Sequence, residues 1–129
     1  MSQHEDIHPK GQLVIQTVAM PADTNAHGDI FGGWLVSHMD MGAGIAARHR
    51  ARSRCVTVAI DSMTFIKRVL VGDTVCCYAD ILKVGRTSMQ IQIEVWTNGL
   101  VEDKHKKVAE GVFTFVAIDD HGKPHPVDR

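Results

Sequence analysis

The sequence has little cysteine and no excess of charge of either sign. Three cysteines occur among 129 residues, at Cys55, Cys76 and Cys77. An odd number that includes two neighbours is a poor framework for disulfides, and reduced thiols indicate a cytoplasmic protein. The formal net charge is −1, so the composition gives no indication of a nucleic-acid partner or of an anionic membrane surface as partner.

The sequence also lacks a long apolar run and the common catalytic motifs. The most apolar stretch, 30–47, contains glycines and is shorter than the roughly 20 residues of a membrane span. The N-terminal residues MSQHEDIHPK are polar, so we expect no secretory signal and no membrane partner. HExxH, CxxC, G-x-S-x-G and Walker A sequences are absent, and the eight histidines have no metal-ligand spacing. We therefore expect no metal site.

One stretch stands out by its pattern, NAHGDIFGGWLVSHMDMGAGIAARHR at residues 25–50. It predicts a long helix with a glycine-rich start, covered on most sides, in which Asp40 is the one formal charge between 30 and 47. Asp29 is the candidate cap of this helix. A carboxylate among apolar neighbours either reaches solvent or is held in a cleft for chemistry.

The remaining chain reads as strands, with runs at 13–20, 55–69, 74–84, 87–97 and 108–118. The second run is expected to contain a bulge near Ser62. Short turns between successive runs imply an antiparallel meander, and a helix beside such strands implies an α+β fold, with a curled sheet around one helix. We expect a polar arm at 1–10, a single domain at 11–118 and a polar tail at 119–129.

The helix start collects the residues with the clearest chemical sense. Unpaired amides at a helix N-terminus are donors, and Gly32 and Gly33 would let a carbonyl approach them closely. Such donors stabilise an oxyanion, and Asp40 is suited to act as general base or as nucleophile. Tight packing against the sheet is the alternative explanation for the glycines. The basic run 48–54 fits a solvated helix end, a phosphate site or a subunit contact.

Three blocks, 19–40, 56–79 and 93–96, resemble the YciA-type acyl-CoA thioesterases, bacterial enzymes of the hot-dog fold. The resemblance spans about residues 11–118. It implies a curled antiparallel sheet around a central helix, hydrolysis of acyl-CoA in fatty-acid metabolism, and no cofactor, since coenzyme A is part of the substrate and product. It also implies a homodimer with two shared active sites, commonly assembled into a hexamer as a trimer of dimers.

The resemblance assigns roles to positions that match the family's motif. The catalytic carboxylate falls on Asp40, the helix-start asparagine on Asn25, and the oxyanion-hole glycines on Gly32 and Gly33. His27 replaces the second asparagine of the usual N-A-N-G sequence and is the expected substrate contact there. Further contacts to coenzyme A are implied at Lys67, Arg68, Gly85, Arg86, Thr87 and Ser88.

Geometry adds an argument for shared sites. Asp40 lies about ten residues beyond the predicted helix start, or about 15 Å along the axis, so one helix cannot bring both groups to one thioester. Two antiparallel helices related by a two-fold axis would do so. The alternatives are a non-catalytic acyl-CoA-binding protein and a hot-dog dehydratase or hydratase, although the His-Phe-Pro-Gly signature of the dehydratases is absent.

Overall fold

A computed structural model describes residues 8–99 and 105–129 of the chain. Much of the expected polar arm, at residues 1–7, lies outside the described residues, as does 100–104 in the predicted hairpin loop. The regular elements follow in the order β1 (Gln12–Val18), a short 3-10 turn (Pro21–Asp23), α1 (Gly32–Ala51), β2 (Arg54–Phe65), β3 (Thr74–Val84), β4 (Ser88–Asn98) and β5 (His105–Ile118).

The five strands form one antiparallel sheet in the order β1-β3-β4-β5-β2. The α1 helix contacts all five strands, as expected when a sheet curls around a single helix. The α+β architecture predicted from the sequence is therefore confirmed. The predicted meander is confirmed for β3, β4 and β5 and is wrong for β2, which pairs with β5 and not with β3. Chain order and spatial order differ because β2 crosses to the far side of β5, so the second strand of the chain forms one edge of the sheet.

Two glycines of α1, Gly42 and Gly44, face the sheet. A Cβ atom on Gly42 would lie 3.0 Å from a methyl of Val14, and one on Gly44 would lie 3.5 Å from the Phe115 ring. Glycine in a helix interior costs about 1 kcal/mol relative to alanine. Close packing against Val14 explains the glycine at position 42, as the sequence suggested, whereas a Cβ atom at position 44 would make only an ordinary van der Waals contact.

The opposite side of α1 remains open. Gly33, Ser37 and Met41 follow one another at four-residue spacing and are exposed, so the prediction of a helix covered on most sides is wrong for the single chain. The predicted cap at Asp29 is also wrong, because the N-cap residue is Phe31 and no side-chain cap is made within the described residues. The sheet covers the face that carries Leu35, Met39, Gly42, Ala43, Gly44 and Ala47.

The edge strand β2 is exposed along most of its length. Val56, Val58 and Ile60 remain 42%, 54% and 49% exposed. Its pairing with β5 shifts register twice, between Thr57 and Ala59 and between Ile60 and Ser62, which confirms the predicted bulge near Ser62. An edge strand with apolar side chains and unpaired backbone groups is a template for another strand.

The C-terminal residues fold back onto the domain. The Val127 side chain is buried, and its N–H donates to the carbonyl oxygen of Arg86 at 2.8 Å. Arg50 at the end of α1 donates to both carboxylate oxygens of Asp128, at 2.7 and 3.3 Å. The polar composition of 119–129 did not predict this anchoring.

Candidate active site

The loop before α1 is held in shape by one side chain. The Oδ1 atom of Asn25 accepts from the N–H of His27 at 2.9 Å and from the N–H of Asp29 at 3.2 Å. The backbone N–H of Asn25 donates to the carbonyl of Asp29 at 2.7 Å. This is an Asx-type turn. It leaves the Nδ2 end of the Asn25 amide, a donor, for groups outside the loop.

The first turn of the helix offers backbone donors. Ile30 and Phe31 donate their N–H groups to Val69 and Asp23, whereas the amides of Gly32 and Gly33 have no acceptor within the described residues. First-turn amides have no partner inside their own helix. A Cβ atom on Gly32 would lie 3.2 Å from the ring of Phe65. Because glycine has no Cβ atom, a narrow path to these amides stays open.

A pocket of about 420 Å³ opens beside this turn. Its walls are Asn25, Asp29, Ile30, Gly32, Leu35, Phe65, Ile66, Lys67, Arg68 and Val69. Nη1 of Arg68 lies 3.6 Å from Oδ1 of Asp29. The structure thus brings four of the predicted residues together, namely Asn25, Gly32, Lys67 and Arg68. Gly33 and His27 lie outside the pocket wall and are exposed.

Asp40 lies apart from this pocket, on the third turn of α1. Its carboxylate is half-buried, and its Oδ1 atom accepts a hydrogen bond from the hydroxyl of Thr57 at 2.6 Å. Thr57 belongs to β2, so Asp40 lies beside the exposed edge strand. Asp40 lies eight positions beyond Gly32, which corresponds to about 12 Å along the helix. Within one chain, the helix-start donors and the carboxylate are two separate half-sites.

The predicted turn at 85–88 lies at the other end of the sheet. The N–H of Gly85 donates to the carbonyl of Ser88 at 2.8 Å, and Thr87 accepts from the N–H of Ala117 at 2.9 Å. The N–H of Ile66, in the pocket wall, instead donates to Val108. Positions 108 and 117 of β5 are about 30 Å apart at 3.3 Å per residue. The structure therefore does not bring Arg86 to Lys67 and Arg68 of the same chain.

Thr57 and Phe65 are two contacts that the sequence analysis missed. Both lie on β2. The sequence offered one signal for such contacts, the alternation of apolar and hydroxyl-bearing residues along this strand. Because β2 carries two register shifts, simple alternation does not tell which residues face the helix. Only the folded chain reveals the hydrogen bond to Asp40.

The cysteines do not offer an alternative nucleophile. All three are free thiols. Burial raises the pKa of the Cys77 thiol to about 12, and burial also raises the pKa of Cys55 and of Cys76. Neutral thiols are poor nucleophiles, so the cysteines are unsuited to that role.

The described residues hold neither a cluster of metal ligands nor a membrane-spanning helix. Across 8–99 and 105–129, no three side chains of the His, Cys, Asp or Glu type come together as a metal site would require. No helix in that part of the chain has the length and apolar character needed to cross a membrane.

A larger groove of about 560 Å³ lies between β1 and the second half of α1, and its walls contain none of the predicted site residues.

Comparison with known proteins identifies close relatives. The family model described as the thioesterase superfamily matches residues 27–103. The acyl-CoA thioester hydrolase YciA of Salmonella typhimurium is 51% identical over 125 residues, which cover 95% of this chain and 94% of that protein.

Solved structures give the same result. A hexameric thioesterase from Yersinia pestis is 53% identical, with a TM-score of 0.90 over 95% of this chain and 99% of the other. A hexameric hotdog fold thioesterase of Campylobacter jejuni is 34% identical, with a TM-score of 0.86 over 92% of both chains.

Proposed function

Because this chain belongs to the thioesterase superfamily, and within it to the YciA-type acyl-CoA thioester hydrolases, we propose that it hydrolyses acyl-CoA at sites shared by two chains. The products are free coenzyme A and a carboxylic acid. The main support for a shared site is that the two half-sites described above are separated within one chain. In addition, Asp40 lies next to an exposed edge strand.

The proposed dimer forms through β2. Val56, Val58 and Ile60 are exposed on a strand whose far side faces no other strand in the described sheet. Antiparallel pairing of two β2 strands around a two-fold axis would cover these side chains and continue the sheet. The same axis would carry Asp40 of one chain toward the Gly32 end of the partner's helix. The hexameric relatives support assembly of three such dimers.

The proposed reaction uses backbone donors and one carboxylate. The amides of Gly32 and Gly33, with Nδ2 of Asn25, bind the thioester carbonyl oxygen and stabilise the oxyanion. Asp40 from the partner takes a proton from water as the water oxygen bonds to the carbonyl carbon. The tetrahedral intermediate then collapses, the carbon–sulfur bond breaks, and the coenzyme A thiolate leaves and takes up a proton. Thr57 holds Oδ1 of Asp40, which directs Oδ2 toward the water.

The remaining predicted contacts belong to the coenzyme A portion. Lys67 and Arg68 stand in the wall of the helix-start pocket, where cations would bind phosphates. His27 lies on the same loop as Asn25. In the dimer, Gly85, Arg86, Thr87 and Ser88 would approach the nucleotide from a different chain. The proposal requires no metal or cofactor, and it includes a cytoplasmic location and a role in fatty-acid metabolism.

Complementation between inactive variants tests the shared site. Chains with Asn25→Ala and chains with Asp40→Ala are mixed under conditions that exchange subunits, and thiol release from acyl-CoA is measured. In each hybrid dimer one site carries both lesions and the other carries neither. With random pairing, about a quarter of the wild-type activity should return. Exchange without any gain in activity would show that each site belongs to one chain.

Thiol release by the wild-type protein separates the alternative functions. A non-catalytic acyl-CoA-binding protein would bind coenzyme A saturably and release no thiol. A dehydratase or hydratase would change the acyl chain while the thioester stays intact. A panel of acyl-CoAs of different chain lengths, followed with a thiol reagent, therefore tests hydrolysis and gives the chain preference in one experiment.

A further inference from the structure

A phenyl ring lies beside each of the two glycines at the start of α1. A Cβ atom on Gly32 would lie 3.2 Å from the ring of Phe65, and one on Gly33 would lie 3.4 Å from the ring of Phe31. The two rings differ in one respect, because Phe65 belongs to the wall of the helix-start pocket whereas Phe31 lies outside it. The chemistry proposed above uses neither ring.

The backbone around Phe65 is anchored on both sides. Phe65 is the last residue of β2 and pairs with Ala109 of β5. The N–H groups of the next two residues, Ile66 and Lys67, both donate to the carbonyl oxygen of Val108, at 2.7 and 3.2 Å. Side chains on such anchored segments are positioned more precisely than side chains on free loops. The ring therefore projects from a rigid part of the pocket wall.

The Phe65 ring is not part of the core of the single chain. It is 52% exposed, whereas Leu35 and Val69 in the same pocket wall are 3% and 0% exposed. Covering an exposed phenyl group with another apolar group is favourable, because both groups leave water. The ring is therefore available to an apolar group that enters the pocket.

The pocket has a polar group of residues and an apolar one. The N–H of Asp29 donates to Oδ1 of Asn25 at 3.2 Å, and Oδ1 of Asp29 lies 3.6 Å from Nη1 of Arg68, so these three residues form one polar cluster. Phe65 instead lies beside Gly32. The two arms of an acyl-CoA thioester differ in the same way, since the coenzyme A arm carries amides and phosphates and the acyl arm is hydrocarbon. The polar cluster therefore suits the first arm, and the Phe65 ring suits the second.

We infer that Phe65 limits the bulk of the acyl group at its α-carbon, so that the site selects unbranched over α-branched acyl-CoA. This inference rests on the proposed function. The α-carbon is bonded to the carbonyl carbon that is held at Gly32, so a branch there lies next to the ring. A Cβ atom on Gly32 would already be closer to the ring than the about 3.5–4.0 Å of an optimal carbon–carbon contact. An additional methyl group in so tight a space forces its neighbours out of their preferred positions.

Matched substrates and matched variants test this inference. Butyryl-CoA and isobutyryl-CoA have the same composition and differ only in branching at the α-carbon. For the wild-type protein, kcat/KM should be at least about tenfold lower for isobutyryl-CoA, the low end of the effect of one methylene group in an apolar pocket. Phe65→Ala should reduce this discrimination to less than about threefold, because the space beside the α-carbon becomes open. Phe65→Leu should give an intermediate value. The matched control is Phe31→Ala, which removes the same ring from beside Gly33, outside the pocket wall, and should keep the wild-type discrimination.

The possible outcomes separate this inference from the proposed hydrolysis. If the wild-type protein releases no thiol from butyryl-CoA, the proposed function is wrong and the inference is wrong with it. If the wild-type protein hydrolyses both substrates equally well, or if both Phe65 variants keep the wild-type discrimination, only the role of Phe65 is wrong. The same conclusion follows if Phe31→Ala and Phe65→Ala lose discrimination equally. Circular dichroism establishes that the variants fold, and if alanine at position 65 prevents folding, the more conservative Phe65→Leu still decides the matter.

Discussion

Strands β4 and β2 have similar lengths and similar apolar side chains, yet their surroundings are opposite. In β4, Ile91, Ile93 and Val95 are fully buried, whereas Val56 and Ile60 in β2 are about half exposed. The difference follows from position, since β4 is the middle strand of the sheet and β2 is an edge. Apolar residues in β4 stabilise the fold of the chain itself, whereas those in β2 are available to stabilise its association with another chain.

The largest expected effect comes from shortening a side chain in the middle strand. Ile93→Ala should lower the free energy of unfolding by about 2–5 kcal/mol, because it leaves a cavity in a closed core. Ile60→Ala, its counterpart in β2, should instead lower the unfolding midpoint only at protein concentrations at which the wild-type protein is associated, since the contact it weakens is with the partner. Denaturant titrations above and below the dissociation concentration of the wild-type dimer measure both quantities. An equal and concentration-independent loss in the two variants would remove the distinction.

The next effect contrasts two aspartates that each accept a hydrogen bond from a threonine hydroxyl, Asp40 from Thr57 and Asp61 from Thr114. Asp40→Asn should lower kcat by at least about a hundredfold, the low end for a positioned base, while acyl-CoA binding and the fold persist. The control is Asp61→Asn, because Oδ2 of Asp61 accepts from Thr114 at 2.5 Å on an exposed site of β2. That variant should change kcat less than about twofold. An Asp40→Asn enzyme with more than half of the wild-type kcat would remove Asp40 from the mechanism.

The smallest effect concerns the turn that precedes β4. Arg86→Ala should raise KM for acyl-CoA several-fold with little change in kcat, because phosphates bind far from the reacting carbonyl. A pantetheine thioester, which lacks the nucleotide, should be much less affected. Lys83→Ala, at an exposed position of β3 just before the turn, controls for a general loss of positive charge. Equal losses on both substrates would contradict a phosphate contact at Arg86.

Local patterns predicted most of the fold. The predicted strand at 74–84 coincides with β3 and the one at 87–97 is offset by one residue from β4, because both are flanked by turn residues and contain clear β-branched or alternating runs. The pattern did not predict that β2 would be an edge, because sheet order depends on which distant strands pair. It also failed at Val127, whose burial depends on the backbone bond to Arg86.

The candidate site was only partly accessible from the sequence. The resemblance supplied positions for Asn25, Gly32 and Asp40, and the structure added their surroundings. It adds that Asn25 holds its own loop and that Thr57 bonds to Asp40. The second of these joins a helix to a strand 17 residues later, which no local pattern encodes.

The sheet order also determines how long β2 remains without its partner strand during synthesis on the ribosome. Arg54 pairs with Ile118 and Phe65 pairs with Ala109, so β2 leaves the ribosome about 50 residues before the strand that it needs. At roughly 5–20 residues per second, this interval lasts several seconds. During that time an apolar strand has neither of its eventual neighbours, and nascent chains on adjacent ribosomes of one messenger could pair through it. The segment of β2 that carries the exposed valines is therefore the part of the nascent chain that most needs a chaperone until β5 has been synthesised.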